Sequence, residues 1–235
     1  MKVVYLTQPG KMQIEEEPIP EVRPGNVLVK IEYNGICGSD VHFFKDGRVG
    51  DNVLKGKFVL GHEVSGTVVE VGENVSGLKI GDRVALEPGY GCGKCEFCKT
   101  GRYNLCPDMK FFAAPPVRGA LQEYVSHPAD MCFKLPENVS TMEGALVEPR
   151  AVGLHATGWG EIGLGQTAVI LGAGCIGLVT LLAAKARGAS KVVVVDLHEK
   201  RLEFARNMGA DHTVNASKND VLGCVKELLP EGPDV

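Results

Sequence analysis

Residues 168–177 read AVILGAGCIG, and this stretch decides the fold of the second part of the chain. Its first four residues form a short apolar run, typical of a strand that is buried on both faces. The pattern GxGxxG follows, formed by Gly172, Gly174 and Gly177, and the apolar residues 176–187 that come next predict a helix. A glycine-rich turn between a strand and a helix is the context that a dinucleotide fingerprint requires.

A second apolar run, KVVVVD at 191–196, supplies the acidic residue of this fingerprint. Asp196 ends the run, 19 residues after Gly177. In the fingerprint Gly172 allows the tight turn, Gly174 lets a pyrophosphate approach the backbone, and Gly177 lets the helix pack on the sheet. An acidic residue here accepts hydrogen bonds from both ribose hydroxyls and repels a 2′-phosphate, so NAD is favoured over NADP. A glycine turn in some other α/β protein is the alternative interpretation.

The rest of this region alternates between helix and strand. We expect helices at 199–208 and 221–229 and a short strand at 213–214, which together predict a parallel sheet. Residues 162–184 are uncharged and long enough to cross a bilayer. They contain five glycines, so strand, turn and buried helix explain them better, and no membrane span is expected.

Before residue 154 the pattern differs. Short alternating runs at 27–33, 64–71 and 82–86 are interrupted by Pro and Gly. Period-two alternation is typical of half-buried strands. Residues 1–153 therefore predict a small, irregular all-β barrel with long loops, and residues 154–235 predict an α/β domain.

Four cysteines lie close together within the β-rich region: Cys92, Cys95, Cys98 and Cys106. Four thiolates on one loop suit tetrahedral Zn²⁺. Such a site has no open position, so its role would be structural. An iron–sulfur cluster is the less favoured alternative.

Other metal-binding side chains are dispersed along the chain. Cys37 lies in CGSDVH at 37–42, His62 and Glu63 lie in GHE at 61–63, and Glu148 precedes a proline. Together they offer thiolate, imidazole and carboxylate, the ligand types of a catalytic zinc with one open position.

Composition limits the class of protein. The 235 residues are 44% hydrophobic and 23% charged, with a formal net charge of −4, so the chain is globular and nucleic acid is not expected as its main partner. Eight cysteines without an export signal indicate a reducing compartment, and we expect a cytoplasmic location.

Residues 61–84, GHEVSGTVVEVGENVSGLKIGDRV, resemble the signature of the zinc-containing medium-chain dehydrogenases. The order of motifs also matches: the Cys37 segment, GHE, the four-cysteine loop, then the fingerprint. The resemblance covers the whole chain and is closest to the polyol branch, the sorbitol (L-iditol) and xylitol dehydrogenases. The similar segments are ICGSDVHFF at 36–44, ALEPG at 85–89, FFAAPPVRGALQEYV at 111–125 and LPENVSTMEGALVEPRAVGLHA at 135–156.

This resemblance implies an α/β fold with an all-β part. A GroES-like β-barrel catalytic domain would span 1–153, and the N-terminal half of a Rossmann doubly wound parallel sheet would span 154–235. The implied activity is hydride transfer from a secondary alcohol of a polyol to NAD, giving a ketose, with one catalytic and one structural zinc. The resemblance also implies a homotetramer or homodimer.

The resemblance assigns roles to individual residues. Cys37, His62 and Glu63 would bind the catalytic zinc, and Glu148 would bind it directly or through water. Asp40 would orient His62, Ser39 would hydrogen-bond the reacting hydroxyl, and His42 would pass the proton to solvent. Ile176, Asp196 and Arg201 match positions on the adenosine side of the cofactor.

Two residues depart from the family pattern. Arg150 stands where related sequences have Leu, and Phe43 stands where animal sorbitol dehydrogenases have a pocket Tyr. The alternative functions within the family are 2,3-butanediol and L-threonine dehydrogenase. A non-enzymatic nucleotide sensor and a zinc-binding interaction module are alternatives of other classes, both less favoured because the catalytic motifs are intact.

The sequence ends at Pro233-Asp234-Val235, where a fourth strand of the parallel sheet is expected. We therefore expect the chain to be part of a longer protein. On this expectation the 235-residue chain alone lacks the nicotinamide half of the pocket and is inactive.

Overall fold

The computed structural model describes residues 1–235 and separates into two compact units, Met1–Glu148 and Pro149–Val235. One helix, α4 in the numbering below, runs from Val147 to Trp159 across the junction. The functional domain boundary at 153/154 lies inside this helix and stays a prediction.

The first unit consists mainly of short strands. They are β1 (Lys2–Gln8), β2 (Lys11–Glu16), β3 (Asn26–Gly35), β4 (Arg48–Val49), β5 (Asn52–Val53), β6 (Glu63–Val71), β7 (Arg83–Leu86), β8 (Gly89–Tyr90), β9 (Lys110–Phe111), β10 (Tyr124–Pro128) and β11 (Cys132–Lys134). Its helices are α1 (Gly38–Asp46), α2 (Glu96–Lys99), α3 (Thr141–Gly144) and the start of α4 (Val147–Trp159), with 3₁₀ turns at Tyr103–Leu105 and Ala129–Met131.

Five of these strands form an antiparallel sheet in the order β10–β3–β6–β7–β11. In β3 Leu28 is also buried and Lys30 is exposed, and the fully buried Val27 and Val29 point to the core of this sheet. They pack with Val64, Val68 and other apolar side chains of β6, β7 and β10. The three runs whose alternation predicts strands fall within, or one residue beyond, β3, β6 and β7.

A histidine lies inside this core. The His127 side chain is 1% exposed, and its ring lies 4.7 Å from that of Phe112, measured between centroids. Its Nε2 lies 2.8 Å from the carbonyl oxygen of Glu87, so the neutral ring donates a hydrogen bond there. Burial lowers the pKa of His127 from 6.5 to about 4, because a buried site disfavours the charged ring.

The second unit has a three-stranded parallel sheet, β12 (Thr167–Leu171), β13 (Lys191–Asp196) and β14 (His212–Asn215), in that order. Helices α5 (Cys175–Ala186), α6 (Glu199–Asn207) and α7 (Val221–Leu228) alternate with the strands. All of these elements agree within two residues with the strands and helices that the sequence predicts.

Both faces of this sheet are covered. Val192 and Val194 pack with Leu181 of α5 and Leu202 of α6, whereas Val193 belongs to a cluster on the other face. This explains why β13 is an unbroken apolar run, not an alternating one. On the free edge of β12, the N–H of Val169 donates to the carbonyl oxygen of Val235 at 2.9 Å.

The uncharged stretch 162–184 resolves into β12, the glycine turn and part of α5, which has 12 residues. No helix of the structure is both long and apolar enough to cross a bilayer.

The first unit should lose stability in mild acid because of His127. A histidine whose pKa is lower in the folded than in the unfolded state takes up its proton mainly on unfolding, so the free energy of unfolding falls as the pH drops from 6.5 towards 4. We expect this residue to contribute a loss of about 2 kcal/mol between pH 7 and pH 5.

Urea unfolding of the wild type and of His127→Gln at both pH values measures this contribution, with zinc kept constant. Carboxylates and thiols titrate alike in the two proteins, so the difference between their pH dependences isolates the histidine. An equal loss in both proteins contradicts the prediction.

Candidate metal centres and dinucleotide-binding turn

The first candidate metal centre joins three residues from two segments. Cys37 immediately precedes α1, and His62 and Glu63 lie where β6 begins. One ligand atom from each residue lies within 4.8 Å of the other two. Thiolate, imidazole and carboxylate within this distance suit Zn²⁺, whose bonds to such ligands are about 2.0–2.3 Å long.

A glycine makes room for the carboxylate. Gly35 of β3 pairs with Glu63 of β6, and a Cβ on Gly35 would lie only 2.1 Å from Oε2 of Glu63. Any other residue at position 35 would displace the Glu63 side chain from its place beside Cys37 and His62.

Asp40 forms hydrogen bonds with both segments that carry the residues of this centre. Its Oδ2 accepts from the backbone N–H of Cys37, and its Oδ1 accepts from that of Gly61, both at 3.0 Å. Oδ1 also lies 4.0 Å from Nδ1 of His62. Nδ1 is buried and has no hydrogen-bond partner within the chain, so the carboxylate of Asp40 is a group towards which it can turn.

The electrostatics favour a charged thiol–imidazole pair. The hydrogen bond with His62 lowers the pKa of Cys37. Burial opposes protonation of His62, but its hydrogen bond with Cys37 and the nearby negative charge of Asp40 outweigh this, and its pKa is raised. Burial raises the pKa of Glu63. The lowered pKa of Cys37 favours its thiolate relative to a free cysteine, and the raised pKa of Glu63 marks a carboxyl group whose charge a cation would stabilise.

Three further residues have predicted catalytic roles, and none of them belongs to the three-residue group. Glu148, near the start of α4, is outside the group whose ligand atoms lie within 4.8 Å, and burial raises its pKa. Ser39 lines a pocket together with His62. His42 is exposed, with Nδ1 3.5 Å from Oδ2 of Asp46, and it forms no hydrogen bond to Ser39.

This pocket has a volume of about 150 Å³ and adjoins the centre. Its wall is mainly apolar and aromatic, formed by Phe43, Val49, Phe111, Phe112, Ala113 and Ala114. Polar side chains come from Ser39, Asn52 and His62. A small apolar pocket with a few polar groups beside a metal-binding cluster is the usual form of a binding site for a small organic molecule.

The second candidate metal centre is the four-cysteine loop. The Sγ atoms of Cys92, Cys95, Cys98 and Cys106 lie within 4.8 Å of one another. Backbone N–H groups point at the sulfurs: that of Cys92 at Cys106, that of Cys95 at Cys92 and that of Cys98 at Cys95, at 3.3–3.5 Å. The N–H groups of Lys94 and Cys95 lower the pKa of Cys92 to about 6, which favours the thiolate that a metal needs.

Gly91 allows this cluster to close. A Cβ at that position would lie 2.6 Å from the sulfur of Cys98. The four-sulfur set therefore fits a structural Zn²⁺. Cys132 lies elsewhere and is buried, and burial raises its pKa to about 12, so it behaves as an apolar core residue.

The glycine turn of the second unit has the geometry of an anion-binding strand–helix junction. Gly172 has φ +105°, and a Cβ on Gly177 would lie 1.8 Å from the carbonyl oxygen of Gly172. Gly174 precedes α5, and a Cβ there would meet no atom within 4 Å, which leaves its surface open to a ligand. The first turn of a helix carries backbone N–H groups that the helix itself does not satisfy, so the start of α5 suits an anion.

Asp196, at the end of β13, is 8% exposed and lies beside the glycine turn. It accepts from the N–H of Ala173 and from the N–H of His198, both at 2.8 Å. Burial opposes its ionisation, but these two hydrogen bonds and the charge of Arg201 outweigh burial and lower its pKa. Nη1 of Arg201 lies 3.7 Å from Oδ2 of Asp196. Both side chains line a cavity of about 280 Å³. Ile176 is 47% exposed in the first turn of α5.

Two sequence families match the chain. Residues 23–137 match the family described as alcohol dehydrogenase GroES-like domain, and residues 175–235 match the zinc-binding dehydrogenase family. A sorbitol dehydrogenase of Arabidopsis thaliana is 52% identical over 215 residues, covering 92% of this chain and 59% of that protein. A sorbitol dehydrogenase of Bacillus subtilis is 44% identical and covers 100% of this chain and 67% of the relative.

The crystal structure of an oxidoreductase/dehydrogenase of unknown specificity from Escherichia coli superposes with a TM-score of 0.94. It is 46% identical, and the match covers 98% of this chain and 67% of that one. This chain belongs to the zinc-containing medium-chain dehydrogenases. It spans about three fifths to two thirds of the length of the curated relatives that it matches.

Membership in the medium-chain dehydrogenases confirms the resemblance and the fold class that the sequence predicts, a GroES-like part followed by a Rossmann-type parallel sheet. Asn52, Phe111 and Ala113 line the pocket, although no sequence pattern predicts them as site residues. Asn52 has no local signal, because it begins the two-residue strand β5 directly after the turn at Gly50 and Asp51. The FFAAPP segment at 111–116 carries a signal in its two aromatic residues beside a proline pair.

Proposed function

We propose that the protein to which this chain belongs is a zinc-dependent polyol dehydrogenase, which transfers a hydride from a secondary alcohol to NAD and gives a ketose. The observation that carries the proposal is the convergence of Cys37, His62 and Glu63 beside a small pocket that contains Ser39. The glycine turn with Asp196 supports NAD as the acceptor. Two relatives named sorbitol dehydrogenase support a polyol as the substrate.

Cys37, His62 and Glu63 would hold the catalytic metal, with Glu148 as a further carboxylate at the site. A zinc ion in this position is a Lewis acid that lowers the pKa of an alcohol. Ser39 would hydrogen-bond the reacting hydroxyl and hold its proton, and the exposed His42 would pass that proton to solvent. The rings of Phe43 and Phe111 would exclude water from the reacting carbon.

The other binding groups are assigned in the same way. Gly172, Gly174 and Gly177 would carry the pyrophosphate at the start of α5, with Ile176, Asp196 and Arg201 on the adenosine side. Cys92, Cys95, Cys98 and Cys106 would hold a structural zinc. A homodimer or homotetramer and a cytoplasmic location rest on the resemblance alone and stay predictions.

A substrate panel on the full-length protein tests the proposal, with NAD and NADP in parallel. Sorbitol or xylitol oxidised with NAD at the highest kcat/KM supports it. A higher kcat/KM for 2,3-butanediol or L-threonine assigns the protein to another branch of the family. If the zinc-loaded protein oxidises none of the alcohols, this contradicts an enzymatic role.

The two zinc ions should differ in lability. The four-cysteine centre is closed, whereas the Cys37 centre is open and uses a carboxylate, so a chelator should remove the second metal first. We expect activity to be lost with the first equivalent of zinc while the fold remains.

One chelator titration, followed by metal analysis, enzyme activity and circular dichroism, shows which zinc ion leaves first and whether the fold remains. Cys95→Ser serves as the comparison because it damages only the closed centre. A single class of zinc, or activity that survives the loss of the labile ion, is the opposite result.

Asp196 should set the choice of cofactor. Asp196→Asn loses the charge and, because its NH2 group replaces one oxygen, one of the two acceptors of backbone N–H groups. It should narrow the preference for NAD over NADP by removing repulsion of the 2′-phosphate. Asp196→Ala also removes the hydrogen bonds to Ala173 and His198, and NAD binding should weaken by about 1–3 kcal/mol.

Dissociation constants of both cofactors for the wild type and the two variants measure these effects. If the ratio of NAD to NADP affinity is the same in the wild type and Asp196→Asn, Asp196 does not face the ribose.

A further inference from the structure

The pocket beside the Cys37 centre contains a polar side chain to which nothing above assigns a role. Of its three polar side chains, His62 belongs to the metal centre and Ser39 faces the reacting group in the proposed function. The third is Asn52. The other side chains that line the pocket are aromatic or aliphatic and offer no hydrogen bond to a substrate.

The backbone at Asn52 is held in place while its side chain is left available. Residues 48–53 form a small hairpin in which β4 pairs with β5 and Val49 stands opposite Asn52. Val49 and Asn52 both line the pocket, so this hairpin forms one of its walls. Asn52 is exposed, and its carboxamide, with an NH2 donor and a C=O acceptor, forms no hydrogen bond to another residue of the chain, so both groups can reach a ligand.

A carboxamide with these properties suits a hydroxyl group, which also donates and accepts. We propose that Asn52 is a specificity-determining residue that hydrogen-bonds a hydroxyl on the substrate's carbon chain away from the reacting carbon. The substrate class is then an acyclic polyol, not a simple secondary alcohol. The inference rests on the proposed function and adds the group that recognises the second hydroxyl.

The neighbouring aromatic residue strengthens the assignment. Phe43 lines the same pocket, is 4% exposed and has no polar atom on its ring. A polyol entering this pocket must give up water from its other hydroxyls, which is costly unless a partner replaces that water. Asn52 is the side chain of this wall that can do so.

The test compares a polyol with a simple alcohol of the same length. For full-length, zinc-loaded protein with NAD, kcat/KM is measured for xylitol and for 2-pentanol in the wild type and in Asn52→Leu, which keeps a similar volume without hydrogen bonds. We expect kcat/KM for xylitol to fall roughly three- to tenfold, mainly through KM, the effect of one neutral hydrogen bond. The value for 2-pentanol should stay the same or rise.

Asn138→Leu is the matched control, because Asn138 is exposed and does not line the pocket. Its ratio of xylitol to 2-pentanol activity should equal that of the wild type. A second variant, Phe43→Tyr added to Asn52→Leu, puts a hydroxyl on another wall of the same pocket and should recover part of the xylitol activity. NAD binding and circular dichroism verify that each variant is folded.

The outcomes separate this inference from the proposed function. If the wild type oxidises xylitol and folded Asn52→Leu keeps the wild-type ratio, the role of Asn52 is wrong while the proposed function stands. An equal fall for both substrates makes Asn52 a structural residue of the hairpin and also overturns its role. If the wild type oxidises no polyol, the proposed function fails and the inference fails with it.

Discussion

The arrangement of the Cys37 centre depends on the buried carboxylate of Asp40. This side chain is 2% exposed and accepts one backbone N–H from each of the two segments that carry the metal-binding residues. An ionised group buried to this extent needs such partners, because hydrogen bonds replace the water that it has lost. Removing the carboxylate would free the N–H groups of Cys37 and Gly61 together and would separate the segments that meet there.

The pairing of β3 with β6 also positions the metal-binding residues of the Cys37 centre. Gly35 and Glu63 are partners at the end of this pair, and the missing side chain of Gly35 is the space that the Glu63 carboxylate occupies. Cys37 follows two residues after Gly35, so the same strand end positions a second metal-binding group. The side chains are thus brought together by backbone pairing and by Asp40, which fits a centre formed by the protein before a metal binds.

How far the sequence could predict these features depends on how local they are. The four cysteines lie within fifteen residues and the fingerprint glycines within six, so their spacing alone indicates what they do. The parallel strands are predictable because burial on both faces leaves unbroken apolar runs such as KVVVVD. Helices α1 and α4 are not predicted from the sequence, because α1 is short and begins with Gly38, and α4 contains Pro149 and Gly153.

Contacts between distant segments are beyond such patterns. Nothing near Asn52 indicates that it faces the pocket, since this depends on how the 48–53 hairpin folds towards Phe111 and Phe112. Residue types alone make Cys37, His62 and Glu63 candidate metal ligands, but a lone Cys or His is more often a core residue, and only the family resemblance assigns the three to one catalytic zinc. Their closeness in space depends on the register of β3 against β6, which no single segment encodes.

In each unit a buried aspartate fixes the backbone of the candidate site. Asp196 in the second unit, like Asp40 in the first, is buried and accepts N–H groups from two places along the chain. One of these places is the glycine turn, so Asp196 holds the turn against the end of β13. Each carboxylate oxygen can accept more than one hydrogen bond, so capacity remains for the ribose hydroxyls. A residue that sequence patterns assign to ligand recognition therefore also holds the backbone that the ligand contacts. Both of its oxygens accept backbone N–H groups, so any substitution that removes the charge also removes at least one of these hydrogen bonds.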